Sequence, residues 1–261
     1  MSVIIGRKEE IRELEYYRDS DKSEFVALYG RRRVGKTFLV RNLFAGQFAF
    51  CHTGLSPYDD KSTVTKSDQL DNFYSSLTEW GMEESHSPQD WLEAFQMLKK
   101  LLQEKQDGNK QIVFIDELPW LDTKGSGFIT ALESFWNGWA SFNNVFLIVC
   151  GSATSWMLDK LINNVGGLYG RLSTQIHLMP FRLKECEEFF QSRGILMSRY
   201  DIVQAYMLFG GIPYYIEKFR KGLSFAQNID RIMFNKSAVL NGEFDRLLDP
   251  CSPIRNSING S

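Results

Sequence analysis

Residues 30–38, GRRRVGKTF, set two glycines, a lysine and a hydroxyl in an order that suits a chain of phosphates. Gly30 and Gly35 let the backbone curl until successive N–H groups point inward. A helix beginning near Lys36 would add its positive dipole end. The Lys36 ammonium can then reach β- and γ-phosphates, and the Thr37 hydroxyl can ligate Mg2+. Further along, the apolar run IVFID (112–116) ends in Asp116 followed by Glu117. An acid in that place can hold Mg2+, commonly through water, and its neighbour can polarise an attacking water as general base. Each feature also has a plainer reading. The loop could be a basic turn, with Arg31, Arg32 and Arg33 facing solvent or a partner. The acidic pair could cap the next helix.

Such side chains need a scaffold. FVALY (25–29) leads into the glycine loop and TFLVRNLF leads out, the strand–loop–helix setting that a phosphate loop requires. FAFCH (48–52), IVFID (112–116), VFLIVC (145–150) and QIHL (175–178) complete five strand-like runs. They are largely continuous rather than alternating, as in a parallel sheet covered on both faces. Helical patterns lie between them. One ends at Gly46, and one over 68–80 ends at Gly81. A third is expected to start at Ser87-Pro88-Gln89-Asp90, with proline in the first helical position. The reading is an α/β fold over residues 1–180, then a helical region over 181–248, then a polar, turn-rich tail over 249–261. The sequence shows no internal repeat and no low-complexity tract.

Composition narrows the classes. The 261 residues are 43% hydrophobic, enough for a sizeable core, and the net charge of −2 favours no polyanionic partner. Four scattered cysteines form neither a disulfide framework nor a zinc spacing, and they suit a reducing cytoplasm. Isolated His52, His86 and His177 argue against an imidazole metal centre. The N-terminus turns charged too early for a signal peptide, and no run is long enough for a membrane span. Basic stretches at Arg31–Arg33, Lys99–Lys100 and Lys218–Lys221 leave nucleic acid open but unsupported, without aromatic–basic interleaving.

The ordered set of motifs resembles the AAA+ superfamily, and within it the archaeal-type ATPases of the STAND group. LYGRRRVGKT resembles the family's Walker A and IVFIDELPW its Walker B. IIGRKEEIREL (4–14) is similar to its N-terminal box, which implies that Ile5, Gly6 and Arg7 lie beside the adenine. The loop residues Arg31, Arg32, Arg33, Val34 and Phe38 are further candidates for nucleotide contact. VFLIVCGSATSWM (145–157) resembles the fourth strand and sensor 1. That implies Ser152 near the γ-phosphate or the lytic water, though a serine there could instead cap the following helix. GGLYGRLSTQIHLMPF (166–181) resembles the segment that presents an arginine, here Arg171, to the phosphates of its own or a neighbouring subunit. GGIPYYIEKF (210–219) resembles the helical lid, with Gly211 and Pro213 at its Gly-x-Pro turn.

The resemblance implies a five-stranded sheet ordered 5-1-4-3-2, a small all-helical lid, ATP or ADP with Mg2+ between them, and ATP hydrolysis driving a switch. Two departures are visible. The lid lacks a sensor 2 arginine, which favours a slow nucleotide switch over a motor. Relatives usually continue into an output domain, so a homo-oligomer or a missing C-terminal domain is the expected partner. A small-molecule phosphotransferase is the remaining alternative, and the segment 53–110 shows no motif that would read an acceptor.

Overall fold

The computed structural model describes residues 3–57, 64–83, 86–163, 165–235, 238 and 240. Each of the five apolar runs forms a strand. β1 (Glu24–Tyr29), β2 (Phe48–Thr53), β3 (Gln111–Asp116), β4 (Val145–Gly151) and β5 (Thr174–His177) pair in parallel, in the spatial order β2-β3-β4-β1-β5. Read from the other edge this is 5-1-4-3-2, as the resemblance implied.

Continuous apolar runs are needed because both faces are covered. Along β4, Val145, Leu147 and Val149 face one core, while Phe146, Ile148 and Cys150 face the other. The first core receives α3 (Lys66–Glu79), α4 (Trp91–Glu104) and α6 (Phe128–Gly138). Aromatic rings dominate it: Trp91 meets Phe73 edge-on at 5.5 Å and Phe128 at 4.9 Å. The second core receives Leu14 of α1 (Lys8–Arg18) and Leu39 and Val40 of α2 (Lys36–Leu43). The one-turn helix α5 (Leu118–Leu121) follows β3 directly. After β4, α7 (Thr154–Trp156) passes into π-type turns over Met157–Ile162.

One helix start differs from expectation. Asp90, not Ser87, is the N-cap of α4, its carboxylate accepting from Glu93 N at 2.9 Å. Pro88 lies buried ahead of the helix rather than in its first turn. Ser87 is engaged elsewhere, its hydroxyl donating to Asp71 Oδ1 at 2.6 Å, and the Asp90 carboxylate suits the helix dipole.

The chain divides into two compact units between Met179 and Pro180. The described residues of the second unit hold α8 (Leu183–Ser192), α9 (Arg199–Phe209), α10 (Pro213–Ile216) and α11 (Phe225–Ile229), with turns between them. Phe190, Ile202, Phe209, Ile216, Phe219 and Ile232 form a core of their own. The tail expected over 249–261 falls outside the described residues, as do the other residues beyond 240.

The sheet's centre should be the most sensitive place to lose volume. Leu147→Ala, in a fully buried position of β4, is expected to cost about 2–5 kcal/mol. The measurement is urea unfolding, with a lowered midpoint at unchanged slope.

Candidate functional site

The site grows from the carboxyl ends of β1, β3 and β4. After Tyr29 the chain turns at Gly30 (φ 146°), where a Cβ would run into Leu178 O. That close approach is held by Leu178 N–H donating to Tyr29 O at 2.8 Å. Only glycine fits this position. Arg33 then takes a left-handed φ of 72°, and Gly35 becomes the N-cap of α2. Gly35 offers no capping side chain, and the first turn of α2 carries no acid. Its N–H groups and dipole are therefore left for an anion.

Lys36 opens that helix and is 5% exposed. Its Nζ donates to Gly30 O at 2.9 Å and to Arg31 O at 3.1 Å, folding the cation back over its own loop. Burial lowers its pKa, while the Glu117 and Asp116 carboxylates pull the other way. Next along, Thr37 Oγ1 donates to Asp116 Oδ2 at 2.7 Å, joining α2 to the end of β3. Asp116 is 2% exposed. Burial pushes its carboxyl pKa upward, and the bond from Thr37 opposes that rise.

Glu117 sits in a left-handed backbone conformation (φ 48°, ψ 46°) that costs a non-glycine residue about 1–3 kcal/mol. The conformation turns its side chain to β4. There Oε2 accepts from Ser152 N at 3.1 Å and from Ser152 Oγ at 2.8 Å. Neither plainer reading holds: Glu117 makes no capping bond to α5, and the N-cap of α7 is Ala153, not Ser152. Lys36, Thr37, Asp116, Glu117 and Ser152 thus form one cluster.

Other candidates lie differently. Arg31 and Arg32 are exposed, Val34 is buried, and Phe38 is 46% exposed. Ile5 and Gly6 are partly buried beside Arg7. The Arg7 guanidinium, expected beside adenine, bonds the backbone: Nη1 donates to Met179 O and Nη2 to Val34 O. Arg171 is exposed and not bonded to the cluster among the described residues; its N–H closes a turn on Leu168 O. Gly211 and Pro213 belong to the second unit, where Gly211 O accepts from Phe181 N and Pro213 opens α10.

One cation escaped the sequence reading. Arg41 bonds Thr53 Oγ1 at 3.2 Å, and its charge opposes the burial-driven rise of the Asp116 pKa. The available signal was helical spacing, since Arg41 lies four residues after Thr37 and on the same face.

Among the described residues no group of three or more His, Cys, Asp or Glu side chains could hold a metal. Thr37 and Asp116 offer a hydroxyl and a carboxylate, oxygen ligands of the kind Mg2+ takes together with water and phosphate oxygens. No helix among the described residues is long and apolar enough to cross a membrane.

The buried acid has a measurable cost. Because its folded-state pKa is raised, ionising Asp116 removes stability as pH rises through that value, from above the ordinary aspartate value of about 4. Asp116→Asn is therefore expected to raise the melting temperature of the nucleotide-free protein at neutral pH. The gain should vanish at acid pH, where the carboxyl is protonated in both folded and unfolded chains. Thermal unfolding across pH tests this.

Comparison with known proteins agrees with this geometry. The chain is 27% identical to an uncharacterised protein of Methanocaldococcus jannaschii over 248 residues, covering 94% of this chain and 50% of that protein. It thus spans about half the length of that relative. Among solved structures, a Walker-type ATPase of Pyrococcus abyssi superposes with a TM-score of 0.66 at 23% identity, covering 94% of this chain and 75% of that one. A signal-transduction ATPase with numerous domains from Pyrococcus horikoshii, carrying a tetratricopeptide-repeat sensor, superposes with a TM-score of 0.51 at 18% identity, covering 90% of this chain and 33% of that one. These likenesses support a P-loop ATPase fold. Residues 4–219 match the model of an ATPase domain found predominantly in Archaea, and the chain belongs to that family.

Proposed function

We propose that this chain binds ATP or ADP with Mg2+ on the Gly30–Thr37 loop, hydrolyses the β–γ phosphoanhydride, and relays the nucleotide state to its helical unit. The observation that carries the reading is the Thr37 Oγ1–Asp116 Oδ2 bond, which sets a hydroxyl and a carboxylate together at the foot of the loop with Glu117 adjacent.

On nucleotide binding, Lys36 exchanges the carbonyls of Gly30 and Arg31 for phosphate oxygens, a charge-assisted and stronger bond. Thr37 and Asp116 are the residues that would hold Mg2+, and the ion would supply positive charge against the β- and γ-oxygens. Ser152 pins Glu117 Oε2 with two donors and so leaves Oε1 as the oxygen that takes a proton from water. That water's oxygen bonds the γ-phosphorus as the bridging bond breaks, and ADP and phosphate leave. Arg171, exposed at the surface, supplies positive charge late, in its own subunit or to a neighbour's site. Gly211 and Pro213 are the lid positions that would respond to the nucleotide. Free thiols at Cys51, Cys150 and Cys186 accord with a cytoplasmic setting.

Two substitutions separate binding from chemistry. Lys36→Ala is expected to abolish binding of a fluorescent ADP analogue. Glu117→Gln should keep that binding while phosphate release falls by about 10²–10⁴-fold. Wild-type turnover in Glu117→Gln would remove Glu117 from the role of base.

A further inference from the structure

Arg7 is a buried cation whose donors are committed to two distant carbonyls. It is 5% exposed, with Nη1 donating to Met179 O at 2.6 Å and Nη2 to Val34 O at 3.1 Å. Glu10 lies 3.6 Å from Nη1 and offsets the charge. The backbone at Arg7 is left-handed (φ 59°), an unfavourable state for arginine that the surrounding bonds must hold. The two acceptors matter by position. Val34 lies in the phosphate loop, and Met179 is the last residue of the first unit.

A second contact points the same way. Leu178, one residue earlier, donates its N–H to Tyr29 O and lies so close to Gly30 that no Cβ fits there. The segment leaving the first unit is therefore fastened at both ends of the loop: to Tyr29–Gly30 directly, and to Val34 through Arg7. The loop itself has a reason to change. Lys36 holds the carbonyls of Gly30 and Arg31, and a phosphate group would compete for that ammonium.

We propose that Arg7 is a positioning residue that ties the phosphate loop to the exit segment, so that a nucleoside di- or triphosphate bound at Gly30–Thr37 is felt at Leu178–Met179. The proposal rests on the nucleotide reading above. It gives the arginine a task different from contact with the base. The planar fork is what performs it, since guanidinium spans two carbonyls whereas an ammonium is a shorter point donor.

The test is hydrogen exchange on the whole chain, with and without saturating ADP, following the amides of the 30–37 and 178–182 segments. In the wild type, ADP is expected to slow exchange in both segments, at 178–179 by at least about fivefold, the low end of ordinary coupling between sites. In Arg7→Lys at saturating ADP, the loop should still respond, while the change at 178–179 falls below about twofold. Unaltered exchange in β4 shows that the variant is folded, and Arg7→Gln replaces it if it is not. Equal slowing at 178–179 in wild type and variant would overturn the proposal while leaving nucleotide binding intact. Loop slowing without any change at 178–179 in the wild type would overturn it as well. No binding of ADP by the wild type would instead sink the nucleotide reading, and this proposal with it.

Discussion

The hydrogen bond from Thr37 to Asp116 can form only because two strands that are not neighbours end at the same edge of the sheet. β4 lies between β1 and β3, with Tyr29 level with Gly151 and Ile115 level with Val149. A shift of one residue between β3 and β4 would turn Asp116 to the opposite face, and a shift between β1 and β4 would do the same to the residues leading into the loop. The alternation of Val145, Leu147 and Val149 against Phe146, Ile148 and Cys150 prevents that shift. Packing in the sheet thus fixes the spacing of a hydroxyl and a carboxylate at its rim. The loop, the acidic pair and Ser152 all depend on that spacing.

Holding these groups ready works against stability. Lys36 and Asp116 are both nearly buried, and desolvation moves their pKa values toward neutrality, Lys36 downward and Asp116 upward. Glu117 and Arg33 occupy backbone conformations that side chains seldom adopt. Local bonds compensate Lys36 through loop carbonyls, Asp116 through Thr37 and Glu117 through the paired donors of Ser152. A site built this way is preorganised for a charged ligand, because the ligand replaces interactions that are already polar.

Much of this was legible in sequence because the residues concerned obey local rules. Apolar runs of four to six residues bounded by loops marked all five strands, and glycine spacing with a following lysine located the loop. Asp116 and Glu117 could be placed because a strand end fixes where they stand. What stayed hidden was long-range. No local pattern shows that Arg7 reaches Met179, 172 residues away, or that Ser152 meets Glu117 across 35 residues. Asp90 caps the helix while the Ser87 hydroxyl is drawn to Asp71, a contact that a proline-based rule overlooks. The strand order itself came from resemblance, since five buried runs can be arranged in several ways.

Family membership and the cluster of Lys36, Thr37, Asp116, Glu117 and Ser152 support one central proposal, that this chain hydrolyses magnesium-bound ATP at the rim of its sheet. Phosphorus NMR of ATP mixed with the purified protein tests it most directly. The account predicts broadening of the β and γ resonances on mixing, then their loss as ADP and inorganic phosphate appear in equal amounts, and only when Mg2+ is present. An ATP spectrum that stays sharp and unchanged with Mg2+ at high protein concentration would contradict it.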